Sequence, residues 1–104
     1  MQLENIFIHH VFFWLKENSE ANRSELIEGL KKLSSAQTIR QFHIGIPANT
    51  NRDVIENTYS VSWMLFFDND ADQESYQVDP IHLNFVKECS HLWNKVTVFD
   101  SVNA

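Results

Sequence analysis

Only one cysteine, Cys89, occurs in the chain, so no internal disulfide is possible and folding requires no oxidising compartment. Two prolines and two glycines are too few for a loop-rich or collagen-like chain. Basic residues are scarce as well: eight Lys and Arg against 14 Asp and Glu give a formal net charge of -6 and a pI near 5.2. That sign is wrong for gripping phosphate backbones or anionic lipid, so neither nucleic acid nor a membrane is expected as a partner. No apolar run approaches the roughly 20 residues that cross a bilayer. The start, Met1-Gln2-Leu3-Glu4-Asn5, lacks the basic stretch that opens a secretory signal. A soluble, unprocessed, cytoplasmic protein is the expectation. At 104 residues the chain has room for one core, since chains divide only well above this length. Aromatic residues, by contrast, are abundant: three Trp, eight Phe and two Tyr.

Ile6 to Leu15 is β-branched and aromatic, which predicts a first strand. Asn18 or Ser19 caps an expected helix whose apolar positions Leu26, Ile27, Leu30 and Leu33 form one stripe, ending near Ser35. Thr38 to Ile46 reads as a second strand, and the polar, Asn-rich stretch from Ala48 to Asn57 as a loop. From Tyr59 to Phe67 the alternation is clean, with Val61, Trp63, Leu65 and Phe67 on one face and Ser60, Ser62, Met64 and Phe66 on the other. Asp68-Asn69-Asp70 supplies cap candidates for a short helix from Ala71 to Gln77, with Asp70 and Gln73 at capping-box spacing. Asp79-Pro80 starts a further helix, Asp as N-cap and Pro at its first position, with Ile81, Phe85, Val86, Cys89, Leu92 and Trp93 on its apolar face. Lys95 to Asp100 is the last strand. Residues 1–5 form a lead-in, 6–101 the domain and 102–104 a tail.

The order β-α-β-β-α-β predicts a ferredoxin-like α+β fold, a four-stranded antiparallel sheet with its helices on one face. The other face of such a sheet is normally polar. Here His10, Phe12 and Trp14 on strand one oppose His9, Val11 and Phe13, so large groups occupy both sides. Met64, Phe66 and Phe99 join the first set. Leaving such side chains in water forfeits roughly 1.5–3 kcal/mol each. The expectation is therefore a homodimer, the two sheets packed face to face into a dimeric α/β barrel across His10, Phe12, Trp14, Met64, Phe66 and Phe99.

The sequence resembles the stress-responsive A/B barrel (Dabb) family. The first strand bears His9, and Lys16 follows seven residues later. Gly45, Arg52, Tyr59, Phe67-Asp68, Tyr76, Asp79-Pro80-Ile81-His82, Trp93-Asn94-Lys95-Val96 and Phe99-Asp100 follow in the family's order. The resemblance implies the dimeric barrel. It extends distantly to olivetolic acid cyclase, a plant enzyme that closes a polyketide by a cofactor-free aldol reaction, whose Tyr and His pair matches Tyr76 and His82. Two positions depart from that pattern: Asp79 replaces the first His of His-Pro-x-His, and Val61 stands where the cyclase has a further His.

On this resemblance Tyr76 and His82 are candidate catalytic residues, His82 as a neutral base near a helix N-terminus and Tyr76 as donor to a developing oxyanion. The alternative is that both are hydrogen-bonded rims of a core. His9 faces the helices and is a third candidate, or a packed structural histidine. A small apolar pocket between sheet and helices is expected from Val11, Phe13, Trp63, Leu65, Phe85, Val96 and Val98. Cys89, mid-helix on the apolar side, reads as structural. Arg52 is an anion contact or a solvated charge. His10 and His43 are expected near the dimer interface, and no spaced set of Cys, His or carboxylates completes a metal site, so neither metal nor cofactor is expected. Three functions remain open: a small-molecule-binding dimer, with an apolar or aromatic carbonyl-type ligand; a cofactor-independent cyclase, lyase or isomerase using Tyr76 and His82; or a relative of the cofactor-independent monooxygenases of this fold.

Overall fold

A computed structural model describes residues 1–104. The elements run β1 (Phe7–Leu15), α1 (Glu20–Leu33), β2 (Gln41–Gly45), β3 (Val61–Phe67), α2 (Asp70–Val78), α3 (Pro80–Cys89) and β4 (Trp93–Val102). All strand pairs are antiparallel and the sheet order is β2-β3-β1-β4. This is the ferredoxin-like α+β arrangement that the element order predicts. No helix is long and apolar enough to cross a membrane.

The β1 alternation sets the two faces. His9, Val11, Phe13 and Leu15 are buried toward the helices, as are Val61, Trp63, Leu65 and Phe67 of β3. On α1 the buried stripe is Leu26, Leu30 and Leu33, three residues whose spacing returns them to one side of the helix. Gly29 on the same helix meets α3 closely: a Cβ there would stand 2.6 Å from Cys89 Sγ. Glycine leaves that space to the Cys89 sulfur, and any larger residue would press on it. Ser19 caps α1 by accepting the Asn22 N–H at 3.1 Å, and Asp79 caps α3 by accepting the Ile81 N–H at 2.9 Å.

Several boundaries differ from the sequence expectation. The second strand starts at Gln41 rather than Thr38, because Ala36 and Ile39 are tied into turns and the Thr38 hydroxyl donates to the Asp72 carbonyl at 2.9 Å. The cap of α2 is Asn69, whose side chain accepts the Asp72 N–H, so the Asp70–Gln73 capping box does not form. The last helix stops at Cys89; Ser90–Leu92 is a 3₁₀ turn and Trp93 already opens β4, paired with Leu15. Val102, expected in the tail, ends that strand, and the Asn103 side chain accepts the Ile6 N–H at 2.9 Å.

The opposite side of the sheet carries no helix. Ile8, His10, Phe12, Trp14, Met64 and Phe66 are half-buried there, and Phe99 is 63% exposed. Phe12 is the hub, its ring edge-on to Tyr59 at 4.9 Å and to Phe99 at 5.9 Å, with His10 at 4.2 Å. Lys95 lies 4.4 Å over the Trp14 ring. Ser60 and Ser62 on this side are buried rather than open: Ser60 Oγ accepts the Leu15 N–H, and Ser62 fills the space left by Gly45.

Candidate functional site

The α2–α3 junction is the local feature that builds the site. Asp79 stays extended between two helices and serves as both C-cap of α2 and N-cap of α3. Tyr76 in the last turn of α2 and His82 in the first turn of α3 are thereby folded onto each other, their ring centroids 4.7 Å apart. His9 approaches from β1, 6.2 Å from the Tyr76 ring.

These three side chains border one cavity of about 200 Å³ between sheet and helices. Val11, Phe13, Trp63, Phe85, Val96 and Val98 line it, six of the seven residues expected for the pocket. Leu65 does not: it is wholly buried one pleat further along β3, in the packed core. Gln77, Val86 and Trp93 also line the cavity and were not expected there. Neither Lys nor Arg reaches the lining. Its volume is below the usual range of roughly 300–1,000 Å³ for ligand pockets, so it fits a compound of about one ring.

Hydrogen bonds fix the protons of the site. His82 Nδ1 lies 3.1 Å from the Gln77 carbonyl, which can only accept, so Nδ1 carries hydrogen and Nε2 of the neutral ring is a free acceptor. Burial holds the His82 pKa below the ordinary histidine value; His9 lowers it further, while Gln77 and Asp79 act in the opposite sense. Desolvation is the largest of these causes. Tyr76 is 2% exposed, and burial pushes its pKa to about 12 against the opposing effect of Trp63. The Trp63 indole N–H donates to Tyr76 Oη at 3.2 Å, so the phenol hydrogen is not committed to that contact.

His9 donates from Nδ1 to Asp100 Oδ1 at 2.6 Å. Asp100 lies opposite His9 in the β1–β4 register and orients its ring from the strand edge. The sequence offered one signal for this partner, the closing Phe99-Asp100 pair; strand register supplied the rest. Cys89 is buried away from the cavity, and burial with Glu88 and Glu25 nearby raises its pKa, which keeps the thiol protonated. Arg52 is exposed in the loop before β3 and does not reach the site. No group of three or more His, Cys, Asp or Glu is placed to hold a metal.

A wider groove of about 490 Å³ lies along the β2–β3 edge of the sheet, lined by Arg40, Gln41, Phe42, His43, Met64 and Phe66. It brings no acid and base together. Of the residues expected at a dimer interface, Met64 and Phe66 line this groove, while His10, Phe12, Trp14 and Phe99 lie on the open face beyond it.

The family model of the stress responsive A/B barrel domain, Dabb, matches residues 7–103. Among solved structures, a Dabb family protein of ferredoxin-like fold from Mesorhizobium loti is 22% identical with a TM-score of 0.77, the match covering 95% of this chain and 97% of that one. A hydroxynitrile lyase from Passiflora edulis is 20% identical with a TM-score of 0.79, over 98% of this chain and 96% of that one. A dimeric ferredoxin-like protein of unknown function from Bacteroides fragilis is 18% identical with a TM-score of 0.73, over 98% of this chain and 100% of that one. At such identities the likeness is one of fold. No curated protein matches the chain.

Proposed function

We propose, on the premise that this chain belongs to the stress-responsive A/B barrel domain family, that it works as a homodimer binding a small neutral carbonyl compound, apolar or aromatic, between sheet and helices. The observation that carries the ligand reading is the cavity itself: largely apolar walls, a hydroxyl donor and an imidazole at one end, and no cation to hold a carboxylate. The homodimer reading rests on the uncovered aromatic face, and the dimeric fold neighbour from Bacteroides fragilis supports it. Thermal-shift titration with acetophenone and benzoate tests the ligand reading. The ketone should raise the melting temperature, because a ligand at 100 times its Kd adds about 2.7 kcal/mol, and benzoate should not. Equal shifts, or a ketone shift that survives Val11→Trp, a substitution that fills the cavity, would refute it.

A second reading is favoured by the fixed His82 tautomer. With Nδ1–H held by Gln77, Nε2 can take a proton next to a bound carbonyl while Tyr76, protonated at neutral pH, donates to the oxygen as it gains charge. That is the proton chemistry of a cofactor-independent cyclase, lyase or isomerase. One fold neighbour is a hydroxynitrile lyase, and cleaving a hydroxynitrile into a carbonyl compound and hydrogen cyanide likewise needs a base for the hydroxyl proton. Deuterium incorporation into the acetophenone methyl group in D₂O provides the assay. The protein should exceed buffer, and His82→Ala should return the rate to the buffer value. An unchanged rate in that variant would remove His82 from the chemistry.

A further inference from the structure

The open face carries two histidines in one cross-strand row. Register places His43 opposite Met64, Met64 opposite His10 and His10 opposite Phe99. Two strand spacings therefore separate the imidazoles, on the order of 10 Å. At the positions of β1, β2, β3 and β4 that point to this side, the ionisable residues are His10, His43 and Lys95, and no Asp or Glu is among them. Around the rim, Arg40 is paired with Asp68 at 3.3 Å beside the His43 groove. Tyr59 leans on Phe12, and Glu56 is the acid that senses Lys95. His9 lies behind His10, on the helix side of the sheet.

We infer that His10 and His43 make the association of two copies pH-sensitive, the dimer holding at neutral pH and separating on acidification. This rests on the homodimer reading above. A second sheet laid on this face brings two copies of the same row under cover. Neutral imidazoles tolerate that burial, whereas imidazolium ions would be desolvated beside one another and beside Lys95 with no carboxylate in the ladder to offset them. The contact of His10 with Phe12, 4.2 Å between ring centroids, exists in the free protomer and favours neither state.

Burial, then His43, then His9 already depress the His10 pKa in the single protomer. Covering it depresses the value further, so separated protomers bind more protons than the dimer across the window that runs from the free-protomer value down to the lower value in the dimer. Acidification therefore favours separation, and alkaline conditions favour the dimer. Each proton taken up changes the dimer Kd about tenfold per pH unit, so two copies of His10 set a slope of up to about 100-fold per unit.

Sedimentation or light scattering at fixed protomer concentration between pH 8 and pH 5 reads this directly. The dimer is expected at pH 8, with Kd rising steeply as pH falls, and the His10→Gln/His43→Gln pair should flatten the profile. Protomers at pH 8 in the unmodified protein would overturn the homodimer reading itself. A dimer with unchanged Kd at pH 5 would leave that reading intact and overturn this one, as would a steep profile retained in the double variant. Dilution calorimetry near pH 6 in buffers of differing ionisation enthalpy gives a readout without substitution: proton uptake on dissociation is expected, and none would refute the inference.

Discussion

Removing the Tyr76 hydroxyl while keeping its ring isolates the hydrogen bond at the centre of the site. Tyr76 is 2% and Trp63 1% exposed, and the indole N–H donates to Oη across 3.2 Å. Tyr76→Phe deletes a bond worth about 0.5–1.5 kcal/mol net and strands a buried N–H at about 1–3 kcal/mol, so a loss near 2 kcal/mol follows. In a Trp63→Phe background no N–H is left to strand, and the same substitution should cost under about 1 kcal/mol, which makes the coupling energy at least about 1 kcal/mol. Urea denaturation at one fixed protomer concentration measures all four proteins, because an associating chain has concentration-dependent stability. A domain of this size shifts its melting temperature by about 4–8 °C per kcal/mol, which makes the difference easy to resolve. Equal costs for Tyr76→Phe in both backgrounds, or a cost below about 0.5 kcal/mol in the unmodified one, would show that the indole does not depend on the phenol.

Gly29→Ala should destabilise despite the better helix propensity of alanine, worth about 1 kcal/mol. The new Cβ would sit 2.6 Å from Cys89 Sγ, and overpacking costs about 1–3 kcal/mol. With Cys89→Ala in place the same change should instead stabilise, because the next neighbours, atoms of Phe85, lie at an ordinary 3.4 Å; an unaltered penalty in the urea midpoint would exclude the sulfur as its cause. Phe12→Asp puts a carboxylate at the hub of the open face and should reduce the light-scattering mass at pH 8 from a pair to a single 12.2 kDa chain. An unchanged mass would mean that association uses another surface.

Much of the fold was legible because strand faces follow from alternation alone. Val61, Trp63, Leu65 and Phe67 face the helices as their period of two requires. Ends were less legible. Apolar spacing carried the last helix to Trp93, but the chain leaves it at Cys89 so that Trp93 can pair with Leu15. The site was partly legible. Family resemblance selected Tyr76 and His82, and face assignment selected most of the pocket. It failed at Leu65, which shares the Trp63 face but packs into the core rather than the cavity, a distinction that periodicity does not contain.

Sequence by itself determined the order of strands and helices, the two-sided aromatic character of β1 and the net acidic charge, since these depend on residue type and local spacing. Tertiary structure decided which atoms carry protons. Asp100 meets His9 through pairing between strands 91 positions apart, Gln77 fixes the His82 tautomer through a helix junction, and Trp63 reaches Tyr76 from the sheet. A hydrogen bond needs its partners about 3 Å apart. Only the folded backbone sets distances of that kind.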